Sequence, residues 1–240
     1  TLFRSGIEDA FPAGKYVCLY EGTGELRFSG SATQIEAAPG RVIVDVDPDE
    51  GPIRIDLTRT DPSDPVRNVR LIHPGFEDKY REQIFHPRFL ELLEGFSVIR
   101  FESLMHLGSD VHERWRDRAT PDHQTQGGRK GMALEYAIAL CNRAGADAWF
   151  CMPHKADAEY VRRFAEMVRS RLDAGLKVYV EYGHDVGVWP TRSSQHCIRQ
   201  GLADGLSQDW SEARLLYYVR RSLETFAIWE EVFEKDPRLV

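Results

Sequence analysis

The chain has 240 residues, of which 42% are hydrophobic and 29% charged; these ordinary fractions exclude a collagen-like or disordered protein. Its net charge of −7, from 38 acidic and 31 basic side chains, argues against nucleic-acid binding through a broad basic surface. The uncharged apolar runs are far shorter than the roughly 20 residues of a membrane-spanning helix. Four scattered cysteines without a C-x-x-C spacing favour neither a disulfide framework nor a zinc ribbon, and we expect no cofactor.

Residues 1–60 are predicted to form a small antiparallel β domain. Short segments rich in Val, Ile, Tyr and Phe alternate with turn signals, and several have one apolar face. The predicted strands are 15–21, 25–29, 33–37, 41–46 and 53–58. Two prolines and two aspartates in residues 61–65 resist continuation of a strand or helix, so we place the domain linker there.

Residues 66–240 alternate between predicted strands and helices, which is typical of βα units on a parallel sheet. The predicted strands are 66–72, 97–101, 148–152 and 176–182, and the predicted helices are 87–93, 131–144, 157–172, 193–204 and 211–233. We therefore expect an α/β protein in which the β domain precedes the first half of a (β/α)8 barrel of the TIM type. Right-handed crossovers place all strand carboxyl ends on one side, which carries the active site in such barrels.

Polar residues gather at the predicted strand ends, where they would converge on a parallel sheet. A structural ion pair explains Arg100 and Glu181 equally well, and ordinary packing is the commoner role for a tyrosine such as Tyr182. The histidines also have simpler roles, in loop hydrogen bonds or a helix cap. Asp185 is the candidate catalytic residue, and the candidate substrate-binding residues are Arg100, His106, Trp115, His154, Glu181, Tyr182 and His184.

A polar, glycine-containing stretch over residues 109–130 follows the second predicted strand of this region. Loops of about 20 residues are uncommon unless they are functional or disordered. We interpret this one as a substrate-side loop that is anchored by Trp115 and Arg116. Trp189 and Trp210 also lie outside predicted strands; exposed aromatic rings can stack on sugar rings, although core filling is the better interpretation of Trp210.

A series of short motifs resembles a group of bacterial proteins described as cellulose-binding or glycoside-hydrolase-like. The order and spacing of the motifs carry the resemblance, which covers most of the chain from residue 12 onward. The pieces are PAGKY at 12–16, PGFE at 74–77, FHPRFL at 85–90, GFSVIRF at 95–101, WRDR at 115–118, ALEY at 133–136, NRAGADAWFCMPH at 142–154 and KVYVEY at 177–182.

The resemblance implies an N-terminal β domain followed by a barrel of the clan A glycoside hydrolase type. Enzymes of that clan are retaining hydrolases with two glutamates, one of which follows an asparagine at the end of strand four and serves as acid/base. The nucleophile ends strand seven. In this chain His184 and Asp185 occupy the positions of that Asn-Glu pair, and Cys151 occupies the position of a further expected asparagine.

The length of the second region also bears on the expected architecture. A complete barrel typically has about 250 residues, whereas 66–240 holds about four βα units. Residues 238–240 resemble the start of a further strand. We therefore expect the chain to be the N-terminal part of a longer protein whose nucleophile lies beyond residue 240.

Three functions remain open on the sequence. The first is a glycoside hydrolase acting on a cellulose-like β-glycan, which suits an extracellular or periplasmic location. The second is a carbohydrate-binding protein without catalysis, which the His184-Asp185 replacement favours. The third is a metal-dependent barrel hydrolase, which would use His73, His106, His154, and the His184-Asp185 pair as ligands.

Overall fold

A computed structural model describes residues 11–123, 125–188 and 190–240. Residues 1–10 of the predicted β domain and Trp189 lie outside this range. The chain divides into two compact units, with the division between His86 and Pro87.

The first unit consists of two antiparallel sheets, one with strand order β3-β4-β1-β6 and one formed by β2 and β5. Alternating apolar residues from both sheets form its core, which includes Tyr16, Val44 and Ile53. This confirms the antiparallel β structure predicted for the start of the chain. The strands are β1 Gly14–Glu21, β2 Gly24–Gly30, β3 Ala32–Ala38, β4 Arg41–Val46, β5 Ile53–Thr60 and β6 Arg67–Ile72.

The structure differs from the prediction at β6, which was expected to be the first strand of the barrel. It pairs antiparallel with β1, with Cys18 opposite Leu71, and so belongs to the first unit. The expected linker at residues 61–65 is a tight turn in which the Asp61 carboxylate accepts a hydrogen bond from the Ser63 N–H at 2.8 Å. This turn leads the chain towards pairing with β1, and the division of the chain lies some 20 residues later than expected.

The second unit contains a parallel three-stranded sheet with strand order β7-β8-β9. Its helices are α1 Pro87–Glu91, α2 Leu134–Ala144, α3 Ala158–Arg171, α4 Arg192–Ala203 and α5 Trp210–Phe233; its strands are β7 Val98–Phe101, β8 Asp147–Met152 and β9 Val178–Tyr182. Leu239 adds a parallel bridge to Val178, at the place where a further strand was predicted to begin. The described strands form an open sheet and not a closed barrel, with three parallel strands in place of the four expected.

Several helices begin or end at residues that form hydrogen bonds with the backbone N–H or C=O groups left unpaired at helix ends. Asp157, Thr191 and Asp209 accept hydrogen bonds from backbone N–H groups in the first turns of α3, α4 and α5. Gly145 ends α2 in the left-handed conformation with φ of 65°, as its position after the apolar stripe predicts.

One face of the parallel sheet packs against the helices. Phe150 of β8 stacks on Phe101 of β7, with ring centroids 5.3 Å apart, and meets the edge of Phe164 of α3 at 5.0 Å. Trp229 of α5 lies 6.0 Å beyond Phe164 and is fully buried. These rings form the apolar layer between sheet and helices. No helix among the described residues is long and apolar enough to cross a membrane.

The long segment between β7 and α2 is attached to α3 by aromatic contacts. Trp115 meets the edge of Tyr160 at 5.6 Å, and the Arg118 guanidinium lies over the Trp115 ring at 4.3 Å. His112 is buried and also faces Tyr160 edge-on. Trp115 therefore anchors the segment, as predicted for it.

A close approach between α4 and α5 depends on Gly201. A Cβ atom at this position would lie 2.2 Å from the Ala213 carbonyl oxygen. We expect Gly201→Ala to lower the free energy of unfolding by about 1–3 kcal/mol, because overpacking outweighs the helix propensity of alanine. Chemical denaturation measures this change.

Gly175→Ala is the matched control, because no atom lies within 4 Å of the Cβ it would add. It should change the free energy of unfolding by less than about 0.5 kcal/mol. Equal effects of the two substitutions would contradict the close approach.

Stability should fall in mildly acidic solution because of His112. Burial lowers the pKa of His112 to about 4, so its neutral form is favoured in the folded protein, whereas the unfolded chain takes up a proton near pH 6.5. The stabilisation is complete above pH 6.5 and is lost as the pH falls towards 4. Between pH 7 and pH 5 the expected loss from His112 alone is about 2 kcal/mol.

Denaturation of His112→Phe at both pH values tests this expectation, because phenylalanine keeps the ring but does not titrate. The variant should lose less stability on acidification than the wild type. His106→Phe, at an exposed position, should lose as much as the wild type. An unchanged pH dependence in His112→Phe would refute the assignment.

Candidate functional site

The face of the parallel sheet opposite the helices carries polar and aromatic side chains. Side chains alternate along each strand, so Phe101 and Phe150 point towards the helices while their neighbours Arg100 and Trp149 point the other way. The register then places Tyr179 beside Trp149 and Glu181 beside Cys151 on this same face. We call Arg100, Glu102, Trp149, Glu181, His184 and Asp185 the strand-end cluster.

Three strands contribute to the centre of the strand-end cluster. Arg100 donates from Nη2 to Oε1 of Glu181 at 2.5 Å, and the indole Nε1 of Trp149 donates to the other carboxylate oxygen at 3.1 Å. The Arg100 guanidinium also lies over the Trp149 ring, 5.2 Å from its centroid. Each side chain therefore fixes the other two, and the carboxylate of Glu181 is fully oriented.

The second half of the cluster is a histidine between two carboxylates. Nε2 of His184 lies 3.0 Å from Oε1 of Glu102 and 3.5 Å from Oδ2 of Asp185. The hydroxyl of Ser103 donates to the other oxygen of Glu102. Gly108 leaves room for the ring, because a Cβ there would come within 3.0 Å of Cδ2 of His184.

A tight turn after β9 positions His184 and Asp185. Gly183 and Asp185 both have positive φ, of 73° and 45°, and aspartate tolerates this conformation better than most residues. Thr191 at the start of α4 donates its hydroxyl to the carbonyl of Asp185 at 3.1 Å. The Asp185 carboxylate remains 45% exposed and lies 3.9 Å from Nη2 of Arg100, which joins the two halves of the cluster.

The charges of the cluster act on Arg100 and Cys151. Partial burial opposes protonation of Arg100, but its hydrogen bond to Glu181 and the nearby carboxylates raise its pKa. Burial raises the pKa of the Cys151 thiol, and the hydrogen bond and negative charge of Glu181 raise it further. Cys151 is therefore a neutral thiol beneath the cluster at neutral pH and not a nucleophile.

The structure brings together four of the predicted site residues, namely Arg100, Glu181, His184 and Asp185. Tyr182 points to the helix face, where its hydroxyl donates to the His154 carbonyl at 2.8 Å. The His154 ring is buried among the helices and contacts Asp110 and Ser193.

Two further predicted residues lie away from the cluster. His106 is exposed in the segment after β7, in the left-handed conformation, and Trp115 packs against Tyr160 as described above. His73 of the metal hypothesis lies in the first unit, near Tyr16 and His86. The residues that the structure describes contain no group of three or more His, Cys, Asp or Glu side chains suited to a metal ion.

Two members of the cluster were not among the predicted site residues. These two are Trp149 of β8 and Glu102. Alternation along the segment A-W-F-C-M was the available signal, because Phe150 belongs to the core and Trp149 must then face the other way. Glu102 follows the last residue of β7 at the same side as Arg100.

The chemistry of the cluster suits a neutral polyhydroxylated ligand. Carboxylates accept hydrogen bonds from hydroxyl groups, and guanidinium and imidazole N–H groups donate to hydroxyl oxygens. Trp149, which is 37% exposed, adds an apolar surface next to these groups. Comparison of the chain with protein-family models, with curated proteins and with solved structures found no match.

The contact between Arg100 and Glu181 should be measurable as a coupling free energy. In a double-mutant cycle with Arg100→Gln and Glu181→Gln, we expect about 1–2 kcal/mol, since the pair is bonded directly but about a third of the Arg100 side chain remains in solvent. Denaturation of the four proteins gives this value.

The exposed pair Arg163 and Glu159 within α3 provides the control cycle. Its coupling should be no more than about 0.5 kcal/mol. Equal coupling in the two pairs would contradict the role of Arg100 in orienting Glu181.

Proposed function

We propose that the chain belongs to a glycoside-hydrolase-like protein and that the strand-end cluster binds a β-linked glycan. The observation that carries this proposal is that Arg100 joins Glu181 and Asp185 at the carboxyl end of β9, where Trp149 of the neighbouring β8 also holds Glu181. In βα folds this edge of the sheet is where ligands bind. The order of β7, β8 and β9 in sequence and in space also agrees with a segment of a (β/α)8 barrel.

In this proposal Asp185 is the acid/base. It gives a proton to the glycosidic oxygen as the bond to the leaving sugar breaks, and later takes a proton from the water that releases the product. Asp185 is the most exposed carboxylate among Glu102, Glu181 and itself, so it is the one that reaches a ligand. The nucleophile is a second carboxylate on a later strand, as the family resemblance implies.

The remaining groups bind and orient the sugar. Glu181 is held by Arg100 and Trp149, so it presents its carboxylate in one fixed position to a hydroxyl group. His184 is held by Glu102 and takes the place that an asparagine has in the resembled family. A ring nitrogen there can hydrogen-bond the sugar hydroxyl next to the reacting carbon.

Non-catalytic glycan binding is the second candidate function. The short side chain of Asp185 favours it. Aspartate is one methylene shorter than the glutamate that the resemblance implies at this position. Its backbone is also fixed, because its carbonyl accepts hydrogen bonds from Thr191 Oγ1 and the Val188 N–H. The carboxylate therefore cannot recover the lost length by a shift of the turn.

The test is titration of the 240-residue chain with cello-, xylo-, manno- and chito-oligosaccharides by calorimetry. At least one should bind, and Trp149→Ala should weaken its binding about tenfold or more, because aromatic stacking contributes about 1–3 kcal/mol. Trp210→Ala, which removes an exposed tryptophan of α5, should leave the affinity unchanged. Absence of binding to every sugar would reject both candidates.

Hydrolysis by the full-length gene product separates the two candidates. Asp185→Asn keeps the size of the side chain and its turn geometry but removes its proton-transfer capacity. If the proposal is correct, this variant binds the oligosaccharide normally and cleaves it at least about a hundredfold more slowly. Binding without cleavage by the wild type would favour the non-catalytic function.

A further inference from the structure

A second site lies among the helices, on the other side of the sheet from the strand-end cluster. A cavity of about 560 Å³ is bounded by α4, α5 and the segment that follows β8. Four cationic side chains line it, together with the carboxylates of Glu113 and Glu224. The cations are Lys155, Arg199, Arg220 and Arg221. This local excess of positive charge contrasts with the net charge of −7 of the whole chain.

Helix periodicity accounts for the concentration of charge. His196 and Arg199 are three residues apart on α4, so they share a face. Arg220 and Arg221 lie one turn after Tyr217 on α5 and face the same cavity. The close approach at Gly201 holds the two helices together and brings both basic faces to the cavity.

Most of these cations already have an anionic partner. Lys155 lies 3.2 Å from Asp110, Arg220 pairs with Asp204, and Arg221 pairs with Glu224 while also donating to the Ala156 carbonyl at 3.0 Å. The side chain of Arg199 differs, since it has no hydrogen-bond or ion-pair partner within the described part of the chain. Its guanidinium group is therefore available to a ligand.

Two neutral imidazole rings complete the wall. The rings of His154 and His196 lie 5.1 Å apart, and His196 also meets the edge of Tyr217 at 5.8 Å. Burial lowers the pKa of His196 to about 4, and the positive charges of Lys155, Arg199 and Arg221 lower it further. Among the side chains that line the cavity the Lys and Arg residues outnumber the carboxylates, so the wall favours an anion over a further cation.

We propose that this cavity binds a tetrahedral oxyanion, the phosphate or sulfate group of a small ligand, with Arg199 as its principal contact. A guanidinium group donates two parallel hydrogen bonds to such an anion, and Lys155 and the ring N–H of His196 add single donors. The cavity is concave and small, which suits a small molecule and not a nucleic-acid backbone. It shares no side chain with the strand-end cluster, so the proposal does not rest on glycan binding.

The experiment is a titration of the 240-residue chain with sodium phosphate and sodium sulfate, monitored by the NMR signals of the His154 and His196 rings. Sodium chloride at matched ionic strength controls for screening. We expect saturable shifts of both rings with phosphate or sulfate and none with chloride. Glucose 6-phosphate and glucose 6-sulfate then show which ester the site prefers, and unmodified glucose should not bind there.

Two variants locate the site. Arg199→Gln should weaken binding about tenfold or more, because it removes a charged donor pair. Arg163→Gln, which removes an exposed arginine of α3, and Trp149→Ala in the strand-end cluster should bind the anion as the wild type does. Shifts that do not saturate, that chloride reproduces, or that persist unchanged in Arg199→Gln would overturn the proposal.

Discussion

The register of the three parallel strands is the constraint on which both faces of the second unit depend. Phe101 lies beside Phe150, and one residue earlier Arg100 lies beside Trp149. A slip of one residue in β8 would turn Phe150 away from the helices and bury Trp149 in its place. The aromatic contacts of Phe150 with Phe164 therefore do more than stabilise the core. They also fix which side chains are presented on the opposite face.

Adjacent residues of β9 show how one strand serves two environments. Glu181 accepts hydrogen bonds from Arg100 and Trp149 on the open face, whereas Tyr182 is buried and donates to the His154 carbonyl on the helix face. A carboxylate at position 182 could not donate to the His154 carbonyl, and a phenol at position 181 would leave Arg100 without its nearer anion. Such alternation makes the chemistry of each face depend on the packing of the other.

The sequence predicted most helices and strands because their signals are local. The spacing of apolar residues, the glycine that ends α2 and the aspartate before α3 are signals within a few residues. They do not depend on distant parts of the chain. The sheet to which β6 belongs depends on the strand with which it pairs. The sequence of β6 alone does not show whether that partner runs parallel or antiparallel to it. Likewise Trp149 became a site residue only through its register with Arg100 and Glu181. The sequence therefore predicts where the strands end, but not which side chains of neighbouring strands contact each other.

The two candidate sites differ in charge, since one is rich in carboxylates and the other in cations. Different experiments can therefore test them. In the strand-end cluster a single cation, Arg100, lies among carboxylates that are suited to neutral hydroxyl groups. In the cavity between α4 and α5, Arg199 lies without an anion beside other cations, which suits a phosphate or sulfate group. Raising the salt concentration should therefore weaken anion binding much more than sugar binding. Dissolved ions screen the attraction between Arg199 and a charged ligand, whereas a neutral sugar has no charge to screen.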